Sequence, residues 1–293
     1  MTAKILDGTA IAQTILEDVR ADVERLRAAG TEPGLAVVLV GEDPASASYV
    51  KGKTRDAAGI GMRAETIRRP ATIAQDELLA LVRELNANPR WHGFLVQMPL
   101  PPHIDEGLIT ASIAPEKDVD GLTPVNVGRL FRGEPALVSC TPHGVIQILM
   151  RSGYDPAGKH VVVCGRSNLV GKPLVGLLTR KGPGGNATVT VCHTGTPDLR
   201  EHTLRADIVV AAMGKARAIT ADMVREGAVV IDVGINFIED ATRKSGRRMV
   251  GDVDFDAVKE KAAAITPVPG GVGPLTRAML LWNTVRAAQS RPS

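Results

Sequence analysis

Aromatic residues are scarce in this sequence. Tryptophan, tyrosine and phenylalanine make up 3% of 293 residues, while hydrophobic residues as a whole reach 44%. The core must therefore be built from valine, leucine, isoleucine and alanine. Such a core favours an α/β protein, because strands buried on both faces of a parallel sheet are rich in these aliphatic types. The length is enough for two domains or one large one.

Cysteine is also scarce, with Cys140, Cys164 and Cys192 as the three thiols. Their odd number and wide spacing argue against a disulfide framework and against a zinc site, whose ligands come in pairs at short spacing. An acidic turn at Asp118 and Asp120 could hold a metal ion, but no further ligand cluster accompanies it. We therefore expect no metal site.

Strong net charge and long apolar runs are the other absences. The net charge is +3, which is too small to indicate a nucleic-acid or membrane-surface partner. No apolar run approaches the ~20 residues of a membrane span. Residues 1–7 lack the basic and apolar segments of a signal peptide. We expect a cytoplasmic protein without nucleic-acid or membrane partners.

Short aliphatic runs alternate with helical patterns along the chain, which indicates a doubly wound α/β architecture with a parallel sheet. Strands are expected at residues 35–40, 93–98, 160–164, 188–192, 208–212, 229–233 and 263–266. We expect a three-layer α/β domain at residues 1–140 and a Rossmann domain at 141–274. A final helix at 275–293 is expected to return to the first domain.

One predicted helix carries clear end signals. Asp43 is suited to cap its first turn, and Pro44 suits the first helical position. Gly59 is expected just beyond its last turn, where a left-handed conformation is common.

A dense run of proline and glycine at residues 266–276 is the most distinctive segment. Its prolines fix φ and remove backbone donors, and its glycines let a ligand approach the backbone closely. A rigid turn between a strand and a helix is the alternative, but a simple turn needs only two or three such residues. We interpret the run as backbone shaped around a ligand.

The turn from Gly165 to Gly171 follows the first strand of the second domain, where Rossmann folds bind phosphate groups. Arg166 offers a planar donor fork suited to phosphate. The next strand ends in His193 and Thr194 and lacks the acidic residue that binds the ribose of NAD. These features predict NADP rather than NAD. A strand-end histidine without a ligand is the alternative for His193.

Three polar residues in the first domain are candidates for catalysis. Tyr49 and Lys53 lie four residues apart, on one face of a predicted helix. Gln97 ends an aliphatic strand, and a neutral amide can hold a lysine without adding a negative charge that favours its protonated form. The alternatives are a solvated lysine beside a packed tyrosine, and a glutamine that caps its own backbone.

Five motifs together resemble one family, the bifunctional methylenetetrahydrofolate dehydrogenase/methenyltetrahydrofolate cyclohydrolases. The resemblance covers nearly the full length, and the motifs occur in the family's order. They lie at residues 49–53, 96–101, 117–121, 165–173 and 267–276.

The resemblance implies that a hydride passes from 5,10-methylenetetrahydrofolate to NADP, and that water then opens the methenyl product to 10-formyltetrahydrofolate. It implies Lys53 as the acid/base or electrostatic group with Gln97 as its partner, Tyr49 stacked on the folate and Asp120 anchoring the pterin. The implied folate border consists of Gly271, Val272, Gly273 and Pro274. The implied cofactor-binding residues are Gly165, Arg166, Ser167, Val170, Gly171, His193, Thr194 and Ile235.

The resemblance further implies a homodimer formed through the second domain, and a place in the one-carbon metabolism that serves purine, methionine and histidine biosynthesis. Two departures from the family are His143, where many relatives carry lysine, and a longer, glycine-rich loop at 181–186. A monofunctional NADP dehydrogenase with weak cyclohydrolase activity is the main alternative. A non-catalytic binding module would be expected to lose Lys53 or Gln97, and an unrelated Rossmann dehydrogenase gives these two residues no use.

Overall fold

The computed structural model describes residues 2–243 and 246–290, which divide into two compact units. The three-stranded unit comprises Gln13–Cys140 together with residues 277–290. The six-stranded unit comprises residues 2–12 together with Thr141–Thr276.

The described residues form eleven strands and ten α-helices, with one short 3-10 helix at Ala221–Met223. The strands are β1 (Lys4–Ile5), β2 (Gly34–Val40), β3 (Arg63–Arg69), β4 (Gly93–Val96), β5 (His160–Cys164), β6 (Thr188–Cys192), β7 (Ile208–Ala211), β8 (Val229–Asp232), β9 (Asn236–Glu239), β10 (Arg247–Val250) and β11 (Ala264–Ile265). The helices are α1 (Gly8–Ala28), α2 (Pro44–Gly59), α3 (Gln75–Ala87), α4 (Glu106–Ala111), α5 (Pro124–Arg132), α6 (Cys140–Arg151), α7 (Gly171–Thr179), α8 (Leu199–Thr203), α9 (Phe255–Val258) and α10 (Val272–Gln289).

The three-stranded unit is built on a parallel sheet with strand order β3-β2-β4. Its central strand, β2, reads Gly-Leu-Ala-Val-Val-Leu-Val and is buried at every position. Large side chains such as Phe94 and Leu78 fill the core beside it. Each fully buried side chain of this size contributes about 1.5–3 kcal/mol, so the aliphatic sequence of β2 fixes its place at the centre.

The six-stranded unit is built on a parallel sheet with strand order β1-β11-β8-β7-β5-β6. Every neighbouring pair in this sheet runs parallel. The chain reverses its direction of winding between β6 and β7, which lie on opposite sides of β5. This arrangement confirms the expected doubly wound α/β fold class, and it marks the carboxyl end of β5 as the place where such sheets bind ligands.

The seven strands expected from the sequence are present, with ends that differ by at most two residues. The assignment of residues 1–140 to one domain was wrong at its start. Strand β1 pairs with β11, so residues 2–12 belong to the six-stranded unit. A two-residue strand is too short to show a hydrophobic period.

Helix α2 begins as the sequence predicted. The carboxylate of Asp43 accepts a hydrogen bond from Ser46 N at 2.7 Å, and Pro44 takes the first helical position. The expected end at Gly59 was wrong, because Gly59 is still helical and the left-handed position is Gly61, with φ of 79°.

Within residues 2–243 and 246–290, no helix is long and apolar enough to cross a membrane.

Two glycines of the three-stranded unit should respond in opposite directions to alanine. Gly121 has φ of 67°, and a Cβ there would lie 2.3 Å from Val138 C, so Gly121→Ala should lower the free energy of unfolding by roughly 2–4 kcal/mol. Gly128 is in the interior of α5, and a Cβ there would meet nothing within 4 Å. Gly128→Ala should therefore add about 0.5–1 kcal/mol. Guanidinium unfolding measures both, and equal effects would contradict the assigned backbone.

Candidate catalytic and dinucleotide sites

A buried lysine lies at the centre of the candidate catalytic site. Lys53, on α2, is 4% exposed, and its Nζ donates a hydrogen bond to Gln97 Oε1 at 3.1 Å. The amide of Gln97, just after β4, in turn donates from Nε2 to Met98 O at 2.8 Å. This second bond fixes the amide with its oxygen toward the lysine. The lysine is therefore held inside the protein by a neutral acceptor.

Tyr49 lies one turn before Lys53 on the same face of α2. The lysine Nζ is 5.0 Å from the centroid of the tyrosine ring, which is within the range of a cation–π contact. The half-buried ring therefore forms one wall beside the amine.

Helix α2 is held in place by the C-terminal helix. Arg277 Nε forms an ion pair with Asp56 Oδ2 at 2.8 Å. The same arginine covers Gly52, where a Cβ would lie 3.0 Å from Arg277 Nη1. Because Gly52 and Asp56 flank Lys53 on α2, this contact fixes the helix that presents the lysine.

In the acidic turn at residues 117–121, Lys117 and Asp118 are buried and structural, whereas Asp120 is half-buried. The carboxylate of Asp118 accepts hydrogen bonds from Leu122 N at 3.1 Å, Thr123 N at 2.8 Å and Asn126 Nδ2 at 2.9 Å. Burial nevertheless raises the pKa of Asp118 above its ordinary value. Lys117 is likewise buried, and its Nζ donates to Leu85 O and Asn88 O. These bonds leave Asp120 half-buried at the tip of the turn.

Cys140 carries a buried thiol whose pKa is affected by the charges of both Asp120 and Lys53. Its thiol donates to Val119 O at 3.3 Å and lies 3.7 Å from Asp120 Oδ1. Burial raises the pKa of this thiol well above its usual range, the negative charge of Asp120 raises it further, and the positive charge of Lys53 opposes both. The structure thus places Tyr49 and Gln97 beside Lys53, and Asp120 beside Cys140.

The glycines of the predicted nucleotide turn are required by close backbone packing. Gly165 has φ of 135°, and a Cβ there would lie 2.1 Å from Ala212 O. A Cβ on Gly171, the first residue of α7, would lie 2.2 Å from Gly165 O. The turn after β5 therefore folds tightly onto the end of β7, and its backbone stays open to a ligand.

A cavity of about 300 Å³ lies at the carboxyl ends of β5, β6 and β7. Its polar lining comes from the three loops that follow these strands: Arg166, Ser167, His193, Thr194 and Lys215, with Met213 beside them. The structure thus brings Arg166 together with His193 and Thr194, which are separated from it in the sequence by more than one element. The position matches the binding crevice of doubly wound sheets.

His193 presents a defined donor to this cavity. Its Nδ1 accepts a hydrogen bond from Gly195 N at 3.1 Å. In the neutral ring the hydrogen is then on Nε2, so that atom is left as a donor. Arg166 and Thr194 are exposed beside it.

The other expected cofactor residues do not all line the cavity. Val170 and Gly171 are buried and shape the turn, with Ser167 Oγ accepting from Val170 N at 3.1 Å. Ile235 follows β8 and is 57% exposed.

Helix α10 begins within the proline and glycine run, at Val272 rather than at Leu275 as the sequence predicted. A Cβ on Gly271 would lie 2.4 Å from Pro267 O, whereas a Cβ on Gly273 would meet nothing within 4 Å. Val272 is buried, while Gly273 and Pro274 are half-buried. Gly271 is therefore required by the fold, and Gly273 leaves open space.

Two buried aspartates, Asp232 and Asp252, were missed by the sequence reasoning. Asp232 Oδ1 accepts hydrogen bonds from Gly234 N and Asp252 N, and Oδ2 accepts from Val253 N, each at 2.9 Å. Burial raises the pKa of Asp232 to about 6. The available signal was an aspartate at the end of each of two apolar segments, Val-Val-Ile-Asp232 and Met-Val-Gly-Asp252.

Within residues 2–243 and 246–290, no three potential metal ligands lie together.

The two units define a class of protein, in which a nicotinamide-dinucleotide domain is paired with a separate catalytic α/β domain. The chain belongs to the tetrahydrofolate dehydrogenase/cyclohydrolase family. The family model of the catalytic domain matches residues 6–120, and that of the NAD(P)-binding domain matches residues 139–292. This confirms the family expected from the five motifs.

Relatives match over nearly their whole length. The bifunctional protein FolD of Geobacillus thermodenitrificans is 55% identical over 289 residues, covering 99% of this chain and 98% of the relative. The crystal structure of the FolD dehydrogenase/cyclohydrolase from Campylobacter jejuni has a TM-score of 0.93 at 44% identity, covering 99% and 100% of the two chains. The Trypanosoma brucei enzyme, complexed with NADP and an inhibitor, has a TM-score of 0.92 at 41% identity, covering 99% and 98%.

Asp232 should make stability depend on pH. A carboxyl whose pKa rises on folding, here from 3.8 to about 6, stabilises the fold below pH ~4, and this contribution is lost as the pH rises through ~6. The loss amounts to roughly 3 kcal/mol. The free energy of unfolding of the wild type minus that of Asp232→Asn should therefore fall between pH 4 and pH 7. A difference that is constant with pH would contradict the raised pKa.

Proposed function

We propose that this protein oxidises 5,10-methylenetetrahydrofolate with NADP and then hydrolyses the 5,10-methenyl product to 10-formyltetrahydrofolate. The observation that carries the proposal is the buried amine of Lys53, held by the neutral amide of Gln97. Relatives at 55% and 56% identity bear the name bifunctional protein FolD. Lys117 is also buried, but its amine is held by two backbone carbonyls, whereas Lys53 is held by a side-chain amide beside the Tyr49 ring.

The hydrolytic step needs a group that moves a proton. A water oxygen adds to the methenyl carbon while Lys53 Nζ takes a proton from that water. The bond from this carbon to N5 then breaks as the hydroxyl oxygen releases its remaining proton to solvent and forms the formyl C=O. N5 receives a proton from the lysine, so that the formyl group stays on N10. Gln97 holds the amine through a neutral oxygen and adds no negative charge beside it.

The oxidative step transfers a hydride from the methylene carbon of the folate to the nicotinamide. The folate gains positive charge as the hydride leaves. The carboxylate of Asp120, half-buried near Lys53, anchors the pterin by accepting hydrogen bonds from its ring N–H and amino groups. Tyr49 stacks on the ring and holds it beside the lysine.

The donors around the cavity of the six-stranded unit favour NADP. Arg166, the Nε2 atom of His193 and the hydroxyl of Thr194 suit a 2′-phosphate, and residues 193–197, directly after β6, include no acidic residue to bind a free ribose. Ser167, Val170 and Gly171 shape the turn for the pyrophosphate, and Ile235 covers the cofactor. The Trypanosoma brucei relative carries NADP.

The protein works as a cytoplasmic homodimer without nucleic-acid or membrane partners, and the dimer forms through the six-stranded unit. Its product serves one-carbon metabolism and through it purine, methionine and histidine biosynthesis. The shared family and the near-complete length of the match support this assignment.

Replacing the lysine tests the function directly. Lys53→Met should lower the cyclohydrolase rate by about 100-fold or more, because it removes the proton carrier. Lys51→Met is the matched control, since Lys51 is exposed on the same helix, and it should stay within about twofold of the wild type. The assay follows the disappearance of methenyltetrahydrofolate. Full activity in Lys53→Met would refute the assigned role.

The open space at Gly273 permits a second test. Gly273→Val meets no protein atom at its Cβ, so we expect a normal melting temperature. The KM for the folate should rise by about tenfold, with a smaller change in the KM for NADP. Gly271→Ala is the structural comparison, because its Cβ would strike Pro267 O, and it should lower the melting temperature. Equal effects of Gly273→Val on both KM values would indicate that the proline and glycine run at residues 266–276 has only a structural role.

A further inference from the structure

Asp252 is a fully buried carboxylate that lies just beyond β10. Its Oδ2 accepts hydrogen bonds from Met213 N at 2.5 Å and Gly214 N at 2.9 Å. Its Oδ1 accepts from Lys215 N and from Asn236 Nδ2, both at 2.9 Å. Four donors therefore converge on two oxygens, which compensates the burial of this side chain.

Three of these donors are consecutive backbone N–H groups of the loop after β7. Successive N–H groups directed at one anion define a backbone conformation rather than a single contact. Met213 and Lys215, at the two ends of this short segment, line the dinucleotide cavity. The carboxylate of Asp252 thus holds one wall of the cavity from behind.

The position of Asp252 is itself fixed by tight packing. Its backbone N–H donates to Asp232 Oδ1 at 2.9 Å. A Cβ on Gly234 would lie 2.2 Å from Asp252 Oδ1, and a Cβ on Gly251 would lie 1.8 Å from Asp232 Oδ2. The two aspartates and two glycines therefore interlock, and neither carboxylate has room to reorient.

We propose that Asp252 is a positioning residue of the dinucleotide site, which holds the Met213–Lys215 backbone in the conformation that binds the cofactor. Asp252 acts through this loop and is not among the residues that line the cavity. The identity of the ligand as NADP rests on the proposed function. An asparagine cannot take this role, because its NH2 group would face backbone N–H groups or the Asn236 amide.

The test compares Asp252→Asn with Asp256→Asn, the same substitution at an exposed aspartate four residues away that pairs with Lys259. Removing acceptors from a charge-assisted set should weaken binding by about ten- to a hundredfold. We expect that increase in the Kd of NADP alone, measured by titration calorimetry, and in its KM. The kcat at saturating NADP should change less, and cyclohydrolase activity without NADP should stay within about twofold. Asp256→Asn should match the wild type.

Unchanged NADP binding in Asp252→Asn would overturn the proposal. A loss of cyclohydrolase activity that parallels the loss of NADP binding, with circular dichroism unchanged, would also overturn it, since that outcome describes a general role in the structure. If Asp252→Asn does not fold, Asn236→Leu removes a single donor and should raise the Kd of NADP by about threefold. An unchanged Kd in Asn236→Leu would then overturn the proposal.

Failure of the proposed function gives a different result. A wild type that binds NADP but lacks both activities would refute the function, and the comparison of Kd values would still decide the role of Asp252. A wild type that does not bind NADP would refute the cofactor and the positioning role together.

Discussion

The hydrogen bond from Lys53 Nζ to Gln97 Oε1 is the interaction on which the catalytic unit depends. A lysine that is 4% exposed is costly without a partner, and a carboxylate partner would confine it to the ammonium form. A neutral amide satisfies the amine without adding a negative charge beside it. Two further contacts hold this pair in place. Arg277 fixes α2 through its ion pair with Asp56, and the carbonyl of Met98, just after β4, fixes the amide of Gln97.

In the six-stranded unit, by contrast, the site is shaped by glycines, which have no side chain. Gly165 and Gly171 let three backbone segments meet where any Cβ would clash. Charged groups then work from two sides. Arg166 lines the cavity, whereas Asp252 accepts hydrogen bonds from the backbone of the cavity wall on its interior side. The catalytic unit thus relies on the chemistry of a few side chains, and the dinucleotide unit relies mainly on backbone geometry.

The parts of the structure that a single sequence predicts are those with a strong local signal. Buried parallel strands read as continuous aliphatic runs, so β2 and β5 were located within one residue. Strand β3 was missed, because its sequence Arg-Ala-Glu-Thr-Ile-Arg-Arg is charged and half-exposed. The candidate catalytic residues Tyr49, Lys53 and Gln97 were predicted from their motifs and helical spacing, and the structure places Tyr49 and Gln97 beside Lys53. Asp252 was missed because its partners lie 16 and 37–39 residues away in the sequence, and no local pattern reports a contact at that distance.

The proposed function requires one protein to carry out both the oxidation and the hydrolysis. The most direct measurement supplies the wild type with 5,10-methylenetetrahydrofolate and NADP, and follows NADPH, methenyltetrahydrofolate and 10-formyltetrahydrofolate in the same reaction, corrected for spontaneous hydrolysis. We expect NADPH and 10-formyltetrahydrofolate to form in equal amounts while the methenyl intermediate stays low. Formation of NADPH with a matching accumulation of methenyltetrahydrofolate would contradict it.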